Sequence, residues 1–145
     1  MASRPDGDVW NIVDNDKDSQ HYRRNFKFDF SYISSEEIKD VVKDYVWQNY
    51  RVGNKTLSTL YCEVHVFFFQ FIRFADTRNI TSLKGLTNTD VDHFISYLHT
   101  TISERTKKPF GTGMQRISLS TLKSIIRWCQ LHRPNAVSYT HLTLP

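Results

Sequence analysis

The chain has 145 residues, 39% of them hydrophobic and 23% charged, with a net charge of +4 and only two cysteines. That is enough apolar material for one compact core and too much for a disordered chain. No apolar run nears the ~18–20 residues that cross a bilayer, so no membrane partner is expected. No basic-then-apolar leader opens MASRPDGDVW, and so few cysteines exclude a disulfide-built scaffold and suit a reducing, cytoplasmic setting.

In chain order, residues 1–33 read as an arm. Residues 1–20 are polar and Asp-rich, with Val9-Trp10-Asn11-Ile12 as a short apolar anchor that could dock on the body. Phe26, Phe28 and Phe30 then alternate at period two, which suggests an extended segment laying one face on a core. Residues 34–134 read as the helical body. A first helix is expected from a capping box of Ser34 and Glu37 to about Tyr50, with Ile38, Val41, Val42, Tyr45 and Val46 inward and a stop at Arg51-Val52-Gly53-Asn54. A second, near-central helix is expected over Thr56–Arg78. Leu57, Leu60, Tyr61, Val64, Phe68, Phe71 and Ala75 form its stripe, widened by Phe67, Phe69, Ile72 and Phe74.

After a connector over 79–86, a third helix starts at Thr87 with Asp90 in its first turn. Its stripe is Val91, Phe94, Ile95, Leu98 and Ile102. A basic loop over Ser103–Gly113 leads to a fourth helix at about Thr112–Leu131, opened by a second capping box of Thr112 and Gln115. Ile117, Thr121, Leu122, Ile125, Ile126 and Cys129 are expected to face inward, and Arg133-Pro134 to end it. These segments predict an all-α bundle of four helices behind an irregular N-terminal arm. Residues 135–145 read as the start of a linker and a non-native tail. VSYTHLTLP, over Val137–Pro145, resembles the translated end of a transposon adaptor used in preparing sequencing libraries, so native sequence is expected to continue past Ala136.

Charge is unevenly placed. Residues 1–50 hold 7 Lys/Arg against 10 Asp/Glu, and residues 51–145 hold 12 against 5. From Arg105 onward there are seven bases, Arg133 the last of them, and no acid. Such a cluster suits a polyanionic partner, set against the plainer reading of a solvated surface.

The order of segments over residues 50–133 resembles the core-binding domain of tyrosine recombinases, the phage-integrase family. The long second helix matches that family's opening "fxxFxxF" helix. Ser82-Leu83-Lys84-Gly85-Leu86-Thr87-Asn88-Thr89-Asp90-Val91-Asp92-His93-Phe94-Ile95-Ser96-Tyr97-Leu98 matches "xxLxxlTxxDvxxFixYL", and Leu119-Ser120-Thr121-Leu122-Lys123-Ser124-Ile125-Ile126-Arg127-Trp128 matches "lSxLrsffrW". One departure is Met114, where the family often carries Ser or Thr. The resemblance implies a SAM-like, orthogonal four-helix domain that serves as half of a clamp on double-stranded DNA, working with other recombinase protomers in the intact protein. The arginine, His-x-x-Arg motif and tyrosine nucleophile of that family belong to a following domain, so this chain is expected to bind DNA without cutting it.

Two candidate patches follow, because helix N-termini and cations suit phosphate. The first is the start of the second helix: Arg51, Lys55, Thr56 and Thr59. The second joins the loop residues Arg105, Lys107, Lys108 and Thr112 to Gln115, Arg116, Ser118, Lys123 and Arg127 of the fourth helix. Lysines and arginines would neutralise phosphates, while Gln115 or Arg116 could reach base edges. The competing reading is a stand-alone basic helical module that meets an acidic protein. No cofactor is expected. Cys62 with His65 and Cys129 with His132 have a spacing that zinc could use, but Cys129 lies on an apolar stripe and structural zinc ligands usually come from tight loops.

Overall fold

Alternating apolar residues near the start of the chain pair into a hairpin. In a computed structural model, which describes residues 4–102 and 106–137, β1 (Val9–Val13) and β2 (Asn25–Asp29) run antiparallel, with Trp10 opposite Phe28 and Ile12 opposite Phe26. Side chains alternate across a strand. One face therefore buries Trp10, Ile12, Phe26 and Phe28, while Val9 and Val13 face outward. Residues 4–33 are thus not the irregular arm expected. Arg4 and Asp8 also hold the hairpin down electrostatically: Arg4 donates to Asp40 and Asp44, and Asp8 accepts from Lys39 and Lys43. The polar connection between the strands hid this pairing, because its partners are distant in sequence. A single 3-10 turn, Phe30–Tyr32, capped by the Asp29 side chain, leads into the body and buries Phe30.

α1 spans Glu36–Arg51 and starts one residue later than expected. Ser35, not Ser34, accepts from the Ile38 N–H at 3.2 Å. Ser34 instead donates to Asp76 at 2.8 Å, and Glu37 accepts from Ser82 at 2.7 Å, so both members of the expected box serve tertiary contacts. Ile38, Val41, Val42, Tyr45 and Val46 are buried as the stripe requires. Gly53, at a φ of 74°, makes the left-handed turn that ends the helix.

The second rod has three parts. α2 (Leu57–Val66) is capped by Thr56, a π-helical turn follows over Phe67–Ile72, and α3 (Arg73–Thr77) completes it. Leu60, Val64, Phe67, Phe68, Phe71 and Phe74 are buried in it. Phe69, expected inside, is 40% exposed. The wider π turn lets Phe67, Phe68, Gln70, Phe71 and Ile72 take the inward positions and leaves Phe69 outside.

α4 (Asn88–Thr100) opens with the reciprocal box of Thr87 and Asp90 and buries Val91, Phe94 and Leu98. Ile102 lies beyond its end, 52% exposed, in an isolated antiparallel bridge with Pro109. α5 (Thr112–His132) begins after Gly111 with no side-chain cap. The expected Thr112 and Gln115 box does not form, because the Gln115 amide donates to the Phe110 carbonyl at 2.9 Å. Thr121, Leu122, Ile125, Ile126 and Cys129 face inward, but Ile117 is 50% exposed. Ser118 takes the inward place, and its hydroxyl is satisfied by the Met114 carbonyl at 2.8 Å.

The rods share one apolar cluster. Phe71 and Phe74 meet Phe94 of α4 at ring distances of 5.4 and 5.2 Å, and Tyr45 of α1 meets Trp128 of α5 at 5.7 Å. Ala136 and Val137 close the cluster after α5. Residues 138–145 of the expected tail lie outside the described residues. The fold is mostly helical with a small two-stranded sheet. Among the described residues, no helix is long and apolar enough to cross a membrane.

Candidate nucleic-acid interface

The clearest grouping is on α5. Arg116, Ser120, Lys123 and Arg127 follow one another at helical spacings of three and four, so they lie along one stripe. Arg116, Ser120 and Arg127 are exposed and Lys123 is half-buried, opposite the stripe of Leu122, Ile125, Ile126 and Cys129 that fills the core. The rise of an α-helix puts Arg116 and Arg127 about 16 Å apart along the axis. That length is commensurate with a major groove about 12 Å wide. α5 carries no Asp or Glu, and no ion pair to these three bases occurs among the described residues. Ser120 had a signal in the sequence, its place one turn from both Arg116 and Lys123.

The remaining candidates divide. Thr112 is exposed in the first turn of α5. Gln115 is half-buried and committed to the Phe110 carbonyl. Ser118, contrary to expectation, is buried, and its hydroxyl bonds within the helix, so it presents nothing to a partner. Lys107 and Lys108 are exposed in the loop before α5, with Lys107 at a left-handed φ of 58°. Arg105 lies outside the described residues.

At the start of α2, Thr56 and Thr59 are exposed and Arg51 is the exposed last residue of α1. Thr56 spends its oxygen on the Thr59 N–H at 3.2 Å, as an N-cap does. Lys55 is half-buried and donates to Glu63 at 3.2 Å. Glu63 also accepts the Tyr45 hydroxyl at 3.0 Å. Burial first, then the Glu63 charge, pushes the Tyr45 hydroxyl well above its ordinary value. Because the Tyr45 ring also meets Trp128 in the last turns of α5, Lys55 and Glu63 are linked to α5 through the interior. The sequence suggested the two patches but not the group that couples them.

Three-dimensional pairing also revises the charge count. Arg133 is not without acids: it donates to both Asp40 and Asp44, acids from the negative half of the chain. With Arg4 and Arg133 these two carboxylates form a four-member network, so Arg133 is occupied structurally.

The cysteines differ. Cys62 is exposed and Cys129 is buried, and burial pushes the Cys129 thiol up to about 12. Among the described residues, no group of three or more His, Cys, Asp or Glu side chains is placed to hold a metal ion.

A second surface escaped the sequence reading. A recess of about 190 Å³ lies between β2 and the second rod, walled by Tyr32, Tyr61, His65 and Phe69 with Lys27 and Asp29 beside them. Tyr32 is 60% exposed, and the Arg73 guanidinium lies 5.2 Å from the Phe69 ring centroid. Helical spacing alone puts Phe69 inside, because nothing local marks the π turn that expels it. No family model, curated protein or solved structure matches this chain.

Proposed function

We propose that this chain is a double-stranded DNA-binding unit of the tyrosine-recombinase type, a core-binding domain that grips the duplex while catalysis belongs to another domain. The observation that carries the reading is the α5 stripe: Arg116, Lys123 and Arg127 on one solvent-facing side of a helix without a single acid. The start of α2 adds Thr56 at a helix N-terminus and Lys55 beside it. The helical body, the Thr87–Asp90 box and the buried Phe94 and Leu98 agree with the segment order on which the family resemblance rests. In this reading the SAM-like bundle acquires an added hairpin that stiffens its N-terminal side. Its partners are duplex DNA and further recombinase protomers, and its setting is the cytoplasm.

Phosphate neutralisation releases counterions, so binding must weaken steeply with salt. Titration of a generic fluorescent duplex with the whole chain, at low and at high salt, tests this. Affinity in the nanomolar to micromolar range that falls with salt supports it; a folded chain that ignores duplex at low salt rejects it. A stand-alone basic module that meets an acidic protein is the second reading, favoured by the same acid-free face of α5. A folded chain that ignores duplex at low salt but binds an acidic polypeptide such as polyglutamate, with binding that fades as salt rises, would select it.

A further inference from the structure

We propose that the exposed face of α5 reads thymine methyl groups in the major groove, with Ile117 as the apolar contact and Met114 beside it. The inference rests on the duplex-binding reading above and names the groove feature that this face recognises.

Ile117 is 50% exposed and Met114 is 39% exposed. Residues three apart are neighbours on a helix surface, so the two form one small apolar edge. Arg116, Lys123 and Arg127 form the other edge. Between them stand Gly113 and Ser120, both exposed, and the half-buried Ser124, all small, so the middle of the face is shallow and a partner can come close to the helix; Leu131, 80% exposed, lies one turn beyond Arg127. An apolar edge against a row of cations is an awkward surface for a protein partner. Covering it would strip water from the cations, and unpaired charges are costly to desolvate. Two side chains also offer far less than the roughly 800 Å² per partner of a stable protein interface.

A duplex meets both demands at once. Phosphates on either side of the groove suit the cations, and each thymine offers an isolated C5-methyl on the groove floor, where apolar side chains distinguish it. Charge complementarity therefore selects nucleic acid over a second copy of the chain as the occupant.

The test compares the whole chain on an alternating dA·dT duplex and on the same duplex with deoxyuridine in place of thymidine, at one salt concentration. Deoxyuridine lacks only the methyl group. The thymine duplex is expected to bind more tightly, by about fourfold for each methyl group taken out of water. Ile117→Ser, an exposed position whose folding is checked by far-UV circular dichroism, is expected to erase that preference and leave the salt slope unchanged. Equal affinity of the native chain for the two duplexes overturns the proposal, and so does a preference that survives Ile117→Ser. Self-association lost in Ile117→Ser with an unaltered thymine preference assigns the face to a second copy and also overturns it. Failure to bind either duplex at low salt overturns the duplex-binding reading itself, which keeps the two failures apart.

Discussion

Arg133 donates to Asp40 at 3.1 Å although 93 residues separate them, and Arg4 donates to the other oxygen of the same carboxylate at 2.6 Å. Asp44 repeats the pattern, accepting from both arginines. One turn of α1 thus ties the N-terminal segment to the end of α5, so the two ends of the body are held by the same acids.

Acid should loosen this tie. Burial alone would raise Asp40, but the hydrogen bonds and charges of Arg4 and Arg133 outweigh it and hold the carboxyl below its ordinary 3.8. Asp8 is lowered likewise, through Lys43 and Lys39. A depressed folded value means stability that is present above the unfolded value and lost as pH falls through the folded one. Urea unfolding should therefore show constant help from these groups above the ordinary carboxylate range and a decline below about pH 3.8. Asp40→Ala should cost about 1 kcal/mol at neutral pH, the upper end for a partly exposed pair, because it strips two arginines of a shared acceptor. An Asp40→Ala midpoint equal to that of the native chain at neutral pH would show the network to be idle.

The hairpin is part of the core. Trp10 is 1% exposed and meets Phe30 edge-on at a ring distance of 4.7 Å. Trp10→Ala should cost about 3–5 kcal/mol, as large aromatic truncations do. A loss under about 1 kcal/mol by denaturant titration would mean that the hairpin docks without supporting the bundle.

Replacing Arg116, Lys123 and Arg127 together by Gln should flatten the dependence of log affinity on log salt. Each lost phosphate contact reduces the slope by about 0.9, so the full set should remove about 2.7. These side chains lie on the solvent side of α5, so the thermal midpoint should stay within a few degrees of the native value. An unchanged slope would move the interface elsewhere.

On the duplex-binding reading, Glu63 would compete with phosphate for Lys55. Glu63→Gln keeps an oxygen for the Tyr45 hydroxyl, bonded at 3.0 Å, and removes the charge that holds Lys55 at 3.2 Å. Duplex affinity should rise, with a salt slope steeper by up to about 0.9. If affinity stays level or drops, Lys55 is a structural residue only.

What the sequence determined by itself was local. Helical periodicity placed the rods within a residue or two, and the starts expected at Thr56 and Thr87 fall on the residues that cap α2 and α4. The alternation of Phe26, Phe28 and Phe30 marked an extended segment with one buried face. Arg116, Lys123 and Arg127 could be set on one stripe from spacing alone, because helix geometry is the same everywhere. Ser118 rather than Ile117 turns inward because it shares the helical phase of Leu122, Ile125 and Cys129, and its hydroxyl can be buried because it bonds its own helix. The tertiary structure decided whatever depends on a distant partner. Trp10 finds Phe28 across a hairpin, Ser34 leaves its capping role for Asp76, and Lys55 and Arg133 lose their apparent freedom to Glu63, Asp40 and Asp44. Hydrogen bonds, ion pairs and packing between separate elements decide such choices, and no local pattern records them.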